Sequence, residues 1–378
     1  MQVKLEKYNN GNWVNIPSDK QVDNKKVQLA LCFGEKNLLK GEMFEQISQK
    51  YPNAAIVMTS TAGEICQDIV LDNSIIVAAL EFDKTFIKTA AVNIRNFSNS
   101  YDAAVELSTK LQIEGLVHVL IFSDGNLVNG SELVKGFPTW ARENILVTGG
   151  LAGDGANFTS TLVGLDDIPS EGNIVAVGFY GSDIRITHGS QGGWDVFGLE
   201  KRITKSTTNI LYEIEGQNAL ELYKKYLGNE AKNLPGSALL FPLSVIIPGT
   251  KEPVVRTILS INEKEKSLTF AGDVPEGSKV RFMKANFERL TEAASDAAKS
   301  TLIKVNEFPD FSLLISCVGR KLILGDRTVE EVKAVNELYK HKTAIAGFYS
   351  YGEISPFNEE NDCQLHNQTM TITSFFER

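Results

Sequence analysis

Cysteine and histidine are scarce in this sequence, and their scarcity restricts the chemistry that it can support. The 378 residues include four cysteines and four histidines. The cysteines are scattered and form no C-x-x-C pair, which favours free thiols in a reducing cytoplasm over a disulfide framework. No two histidines are close enough in sequence for a local metal site, and no H-E-x-x-H segment occurs. We therefore predict no metal centre and no structural disulfide.

Long apolar runs and excess positive charge are also missing. The first residues contain no apolar segment typical of a signal peptide. The longest apolar run near the middle, residues 238–248, is about half of what a bilayer requires and contains prolines. The formal net charge of −9 argues against general binding to nucleic acid or anionic membranes. These absences predict a cytoplasmic protein without membrane insertion.

The bulk composition is that of a folded protein with more than one core. Hydrophobic residues make up 43% and charged residues 22% of the chain, which are ordinary globular values. A chain of 378 residues is large for one core. We predict an N-terminal strand or tail (1–24), a first domain (25–215) and a second domain (216–378).

One short pattern occurs four times along the chain. An apolar strand ends, a glycine and an acidic residue follow, and a second strand returns. Glycine suits a strand end that needs positive φ, and the acid can accept backbone N–H bonds in the turn. Four unrelated glycine turns are the alternative, but the shared position favours internal duplication. The copies end at residues 61–64, 151–154, 271–273 and 351–353.

The pattern predicts a mixed α+β fold made of two duplicated halves. Each half is expected to contain a mixed or antiparallel sheet covered by helices. Runs such as residues 116–122 are typical of buried strands, and residues 286–300 have the apolar spacing of a helix. The order of the strands does not follow from the sequence.

The final hairpin, residues 344–376, contains an unusual density of side chains able to hold a ligand. Its returning strand alternates apolar and threonine residues, as a half-buried strand does. We predict that this hairpin lines a pocket, with bracing of the hairpin as the alternative for His366. The predicted ligand-binding side chains are Tyr349, Tyr351, Glu353, His366 and Asn367.

A strand end earlier in the second half carries a thiol beside two cations. Arg320 and Lys321 suit an anionic ligand group such as a carboxylate, and ion pairs with Asp326 or Glu330 are the alternative. Neighbouring cations lower the pKa of a thiol, which suggests a reactive Cys317. A buried, inert cysteine is the alternative, because the preceding residues are apolar.

Several segments together resemble FIST-domain proteins, a sensory family named for F-box and intracellular signal transduction proteins. The resemblance covers most of the chain from about residue 25. It implies an N-terminal FIST half and a C-terminal FIST half. The matching segments are residues 60–65, 149–155, 270–281, 317–327, 347–356 and 365–373.

The resemblance implies a sensor of small ligands, with amino acids as the proposed ligands. Family members are often fused to signalling output domains, and none is recognisable in this sequence. We therefore expect a stand-alone bacterial sensor that binds an amino-acid-like or other small polar molecule, contains no catalytic residue and signals through a separate protein such as a histidine kinase.

Two other functions are consistent with the sequence. Some bacterial stand-alone members of the family bind haem, sense nitric oxide and control a histidine kinase. In that alternative His366 is the first candidate for the axial ligand and His188 the second. The remaining alternative is an enzyme that uses Cys317, or the pair Tyr351 and Glu353, in nucleophilic or acid–base roles.

Overall fold

The central strands of the fold are mostly apolar and buried along their whole length. Ile75–Glu81 and Phe311–Cys317 are buried at every residue, as strands covered on both faces are. The predicted mixed α+β class is confirmed, since the strands form four sheets that pack with helices. The computed structural model describes residues 1–18, 21–137, 145–250, 252–303, 305, 307–356 and 363–378.

The first unit of the chain, residues 2–81, establishes a plan that the chain repeats. Its elements are β1 (Gln2–Asn9), β2 (Asn12–Asn15), β3 (Leu29–Gly34), α1 (Gly41–Lys50), β4 (Ala55–Ser60), β5 (Glu64–Cys66), β6 (Ile69–Leu71) and β7 (Ile75–Glu81). Strands β3 and β4 are parallel and connected through α1. Strand β7 returns antiparallel to β3, and β1 lies antiparallel to β7. We call this unit repeat one.

Repeat two follows the same plan. Its elements are β8 (Phe86–Asn93), α2 (Ser100–Thr109), β9 (Leu116–Ser123), α3 (Gly130–Gly136), β10 (Leu146–Leu151), β11 (Val163–Leu165) and β12 (Asn173–Tyr180). Strands β9 and β10 are parallel, β12 returns antiparallel to β9, and β8 lies antiparallel to β12.

An insertion with a sheet of its own interrupts the third unit after its first strand, β13 (Ile184–Gln191). The insertion contains β14 (Asp195–Thr207), β15 (Ile210–Ile214), β16 (Gln217–Asn218), α4 (Ala219–Leu227), β17 (Leu243–Ile246), β18 (Val254–Arg256), β19 (Ile258–Asn262), β20 (Ser267–Phe270) and β21 (Lys279–Lys284). Gly216, the predicted domain boundary, lies within this insertion, between β15 and β16.

Repeat three continues after the insertion. Its further elements are α5 (Phe287–Thr301), β22 (Phe311–Cys317), α6 (Val318–Leu324), α7 (Thr328–Leu338), β23 (Ala344–Ser350), β24 (Gly352–Pro356), β25 (Cys363–His366) and β26 (Met370–Glu377). Strands β22 and β23 are parallel, β26 returns antiparallel to β22, and β13 pairs with β26. The internal duplication predicted from the sequence therefore takes the form of three units.

Each repeat donates an edge strand to the sheet of another repeat. Strand β5 of repeat one pairs with β23 of repeat three, and β24 of repeat three pairs with β10 of repeat two. Strand β11 of repeat two closes the cycle by pairing with β4 of repeat one. Because of this exchange, two sheets contain strands from both sides of residue 216, and the three repeats are interlocked.

The three sheets share one apolar core and carry helices on their other faces. Phe33 on β3, Phe122 on β9 and Phe348 on β23 are in mutual ring contact, with centroids 5.0 to 6.2 Å apart. The residues that alternate with Phe122, such as Ile121, point to the opposite face and pack with α2 and α3. None of the described helices is long and apolar enough to cross a membrane.

Candidate functional site at the junction of the repeats

Three of the four glycine–acid turns meet at one point in the structure. They follow β4, β10 and β23, the equivalent strands of the three repeats. Backbone hydrogen bonds join them in a ring, so each turn is held by the other two. The bonds run from Gly153 N to Ser60 O (2.9 Å), from Ala62 N to Tyr349 O (2.8 Å) and from Tyr351 N to Leu151 O (3.2 Å). The fourth turn, 271–273, lies in the insertion.

Glu64 and Glu353 occupy equivalent positions and are held alike. Each accepts a hydrogen bond from a hydroxyl three residues earlier: Thr61 at 2.5 Å for Glu64 and Ser350 at 2.6 Å for Glu353. A second hydroxyl comes from the residue before the returning strand, which is Ser74 or Thr369. Both carboxyls are buried, and burial raises the pKa of Glu64 to about 7 and that of Glu353 to about 8.

Asp154, the acid of the second turn, has a lowered pKa, whereas those of Glu64 and Glu353 are raised. Burial opposes its ionisation, but hydrogen bonds from Tyr351, Thr159 and Ser160 lower its pKa to about 2. Lys36 Nζ adds an ion pair at 3.3 Å. The Tyr351 ring stacks on Phe158 with centroids 4.6 Å apart. Tyr351 therefore holds the loop that follows Asp154 in repeat two, and its hydroxyl already has Asp154 as a hydrogen-bond partner.

The raised pKa values of Glu64 and Glu353 predict how stability depends on pH. Between the ordinary carboxyl pKa of 4.5 and the raised values of about 7 and about 8, the folded chain holds protons that the unfolded chain has released. The free energy of unfolding therefore falls as pH rises through this range. Burial lowers the pKa of His118 to about 3 and that of His366 to about 4. These two histidines make the free energy of unfolding rise with pH, but only up to their ordinary pKa of 6.5, above which the unfolded chain has also released the protons.

We therefore expect the thermal midpoint of the wild-type protein to fall between pH 6.5 and about 8. Glu353→Gln cannot release this proton, so its midpoint should fall less over the same range. Calorimetry of both proteins at matched ionic strength measures the two slopes. Equal slopes would show that the fall of the thermal midpoint with pH does not come from Glu353.

Arg320 lies in a buried ion pair and not in a pocket, which corrects its predicted role as an anion-binding residue. Its Nε and Nη2 donate to Glu331 Oε2 at 3.0 and 2.7 Å, and two backbone carbonyls accept the other bonds. The Tyr349 hydroxyl donates to Glu331 Oε1 at 2.7 Å. The ion-pair alternative was therefore right in kind, but the partner is Glu331 and neither Asp326 nor Glu330.

Lys321 does line a cleft, and this cleft lies between the repeats. Its Nζ donates to the Ala62 carbonyl at 2.9 Å, pairs with the Asp72 carboxylate and lies 5.6 Å from the centroid of the Tyr349 ring. The cleft has a volume of about 500 Å³, and all three repeats contribute to its wall. Besides Lys321, its lining includes Ala62, Val70, Asp72, Gly155, Ala156, Val318, Leu322, Asp326 and Val329.

The other predicted ligand-binding side chains are sealed inside the protein. Tyr349, Glu353, His366 and Asn367 are each fully buried. The Asn367 amide and that of the neighbouring Gln368 have no hydrogen-bond partner among the described residues. Buried amides need partners, and an internal water or a polar ligand group would satisfy them. Asn367 thus stays a predicted binding residue, whereas Tyr349 and Glu353 have protein partners.

The geometry does not fit haem at either predicted axial ligand. His366 is fully buried, and its Nε2 lies 3.0 Å from the Ser355 carbonyl oxygen. His188 is hydrogen bonded to the backbone of Pro356. Neither histidine lines the cleft at Lys321. An axial imidazole needs a free nitrogen facing a large cavity, so the haem alternative has no support at these residues.

The thiol of Cys317 also differs from the reactive group considered above. It is buried, and burial raises its pKa far above the ordinary value, with Glu353 adding to the effect. The nearby Arg320 lowers the pKa only slightly by comparison. A thiolate is the nucleophilic form, so Cys317 fits the inert alternative.

Two residues at this junction escaped the sequence analysis, although the sequence contained a signal for one of them. Asp72 precedes Asn73 and Ser74 in repeat one, just as Asn367 precedes Gln368 and Thr369 in repeat three. Asn73 and Gln368 both have positive φ, at 53° and 62°. Aligning these hairpin tips would have pointed to Asp72. Glu331 had no comparable signal, since its burial depends on the packing of α7.

The fold and the cleft define an α+β protein whose repeats meet at a shared polar junction. The chain belongs to the FIST family, since the family model described as FIST N domain matches residues 28–217 and that described as FIST C domain matches residues 219–356. The predicted resemblance is confirmed. FIST domains are associated with signal transduction and small-ligand sensing.

Other comparisons add little. No curated protein matches the sequence. A crystal structure of a chorismatase is similar at 11% identity and a TM-score of 0.34, covering 99% of this chain and 98% of that chain. A crystal structure of cyanuric acid hydrolase from A. caulinodans is similar at 10% identity and a TM-score of 0.19, covering 78% and 99%. Neither score is high enough to support an inference about this chain.

Proposed function

We propose that this protein is a non-enzymatic cytoplasmic sensor that binds an amino-acid-like or other small polar ligand in the cleft at Lys321. The observation that carries the proposal is the position of Lys321, whose ammonium group lies where the three repeats meet. A ligand bound there touches all three repeats and so favours one arrangement of them. Such differential binding is what a conformational signal requires.

The cleft has the charges that a zwitterion needs. Lys321 can hold a carboxylate, and Asp72 and Asp326 can accept from an ammonium group. Val70 and Val329 provide an apolar wall for a side chain. Asp72 is 65% exposed, so its pair with Lys321 contributes little to stability and a ligand carboxylate can replace it at small cost.

The proposed sensor transmits its signal through a separate protein such as a histidine kinase. The association of the family with signal transduction supports an output partner of this kind. Cys32, Cys66 and Cys317 are buried free thiols, a state suited to a reducing cytoplasm.

Lys321→Met is expected to reduce ligand-dependent stabilisation to about half of its wild-type value or less at the same ligand concentration. A ligand that binds only the folded state raises the unfolding free energy, by about 2.7 kcal/mol at a hundredfold excess over Kd. Loss of a charge-assisted bond should weaken binding about tenfold or more. The test is a thermal-shift screen of the free amino acids with wild type, Lys321→Met and the control Lys110→Met, whose lysine lies on the surface of repeat two. Equal shifts in the Lys321 variant and wild type would contradict the proposal, as would no shift with any amino acid.

A further inference from the structure

The guanidinium of Arg256 is buried without a carboxylate partner. No carboxylate of the described residues lies within the 4.0 Å ion-pair distance of Arg256, which is only 2% exposed. Its Nε donates to the Asp273 carbonyl at 2.9 Å and its Nη1 to the Leu365 carbonyl at 3.0 Å. Its Nη2 donates to no described group. Arg320, the other buried arginine of the described residues, is neutralised by Glu331. Burial lowers the pKa of Arg256 to about 10, and the nearby charge of Asp273 opposes this shift without an ion-pair contact. A ligand anion that pairs directly with the guanidinium would offset the cost of burying its charge.

Arg256 lines a pocket that can hold such an anion. The pocket has a volume of about 200 Å³ and lies where α3 of repeat two, β25 of repeat three and the insertion meet. Lys135 lines it on the side of repeat two, and its Nζ is 3.3 Å from Asp273 Oδ2. Val134, Ile247 and Leu365 form an apolar wall. The pocket is thus small, and its lining combines two cations, one carboxylate and apolar side chains.

The Arg256 pocket occupies a position in repeat two that is equivalent to the position of the Lys321 cleft in repeat three. The Lys321 cleft lies between α6, which follows the first parallel strand of repeat three, and the β5–β6 hairpin donated by repeat one. The Arg256 pocket lies between α3, which follows the first parallel strand of repeat two, and the β24–β25 hairpin donated by repeat three. Both clefts therefore form where one repeat receives an edge strand from another repeat.

We propose that Arg256 and Lys135 form a second ligand site that takes a small monocarboxylate. The volume suits a few heavy atoms beyond the carboxylate, and the apolar wall suits a short aliphatic chain. The Asp273 carboxylate in the same pocket disfavours a dianion such as phosphate. It can also accept from an ammonium group, so a simple carboxylic acid and a free α-amino acid share the recognised chemistry. Occupancy would join the insertion to repeats two and three.

Calorimetric titration of the full chain with propionate and L-alanine tests the proposal. Propionamide and L-alaninamide are the controls, because an uncharged amide replaces the carboxylate in each. We expect both carboxylates to bind and both amides to fail. Arg256→Met should weaken carboxylate binding about tenfold or more, because it removes charge-assisted bonds. Arg281→Met is the matched control, since Arg281 is an arginine of the same insertion that does not line this pocket.

Two further variants show whether the carboxylate binds at Arg256 or elsewhere. Lys135→Met changes a side chain that is 59% exposed, so it should weaken binding even if Arg256→Met fails to fold. Repeating the titrations in the Lys321→Met background removes binding at the proposed cleft, and the loss of carboxylate binding caused by Arg256→Met should persist there. A stronger response to L-alanine than to propionate identifies the amino acid as the ligand class. Binding of the amides, unchanged affinity in Arg256→Met and Lys135→Met, or no binding of either carboxylate at millimolar concentration would overturn the proposal.

Discussion

Replacing Gly347 by alanine is expected to lower the free energy of unfolding by about 3 kcal/mol or more. Gly347 lies on β23, directly beside Leu314 of the parallel strand β22. A Cβ added there would overlap the Leu314 carbonyl oxygen and lie 2.7 Å from its carbonyl carbon. Both neighbouring atoms are backbone, so a rotamer change cannot relieve the clash. The two central strands of repeat three would have to separate.

The control for this prediction is Gly236→Ala, since a Cβ at Gly236 meets nothing within 4 Å. Urea titrations followed by intrinsic fluorescence give the midpoint and slope for each protein. We expect Gly236→Ala to unfold close to wild type and Gly347→Ala to unfold at much lower urea. A Gly347→Ala midpoint equal to that of the control would show that β23 can shift away from β22 at little cost.

Much of the local structure of this protein could be predicted from its sequence, because strand ends have a local signature. The glycine and the acid at residues 63–64, 153–154 and 352–353 mark equivalent strand ends, and the structure brings these three turns together. The fourth copy, 271–273, fits the same pattern but belongs to the insertion. Three residues cannot distinguish a repeat from coincidence, so the pattern did not reveal which copy differs.

The exchange of edge strands lay beyond the sequence. Strand β5 pairs with β23, with Cys66 opposite Ala346 and thus 280 residues away in the chain, and nothing in either segment specifies that pairing. Short edge strands have too few side chains to encode a partner. Because the clefts at Lys321 and Arg256 form between a helix and a donated strand, their positions could not be predicted either. The sequence pointed to Lys321 only through its charge at a strand end.

The prediction for Arg320 shows how a one-residue difference on a helix decides between surface and interior. Glu330 and Glu331 are adjacent on α7, but successive side chains of a helix point about 100° apart. Glu331 shares its face with Thr328 and Val335, three residues before and four residues after it, and is fully buried. Glu330 lies on the outer side and pairs with Arg327. Sequence proximity suggested Glu330, whereas the packing of α7 selected Glu331.

Glu331→Ala is expected to destabilise the protein by about 3–5 kcal/mol, because it leaves the Arg320 guanidinium charged and buried without its anion. The same change removes the acceptor of the Tyr349 hydroxyl at 2.7 Å and that of the Ser316 hydroxyl at 3.1 Å. Glu330→Ala is the matched control on the same helix, and it should stay close to wild type because its ion pair is at the surface.

The double variant Arg320→Met, Glu331→Ala tests the reason for this loss. If the unpaired charge dominates, removing Arg320 should recover part of the stability that Glu331→Ala loses, and the two single effects should sum to more than the effect of the double variant. Urea unfolding of the four proteins of this cycle measures the coupling. A double variant as unstable as the sum of the singles would show that Arg320 and Glu331 act independently, and that the lost hydroxyl contacts account for the effect of Glu331→Ala.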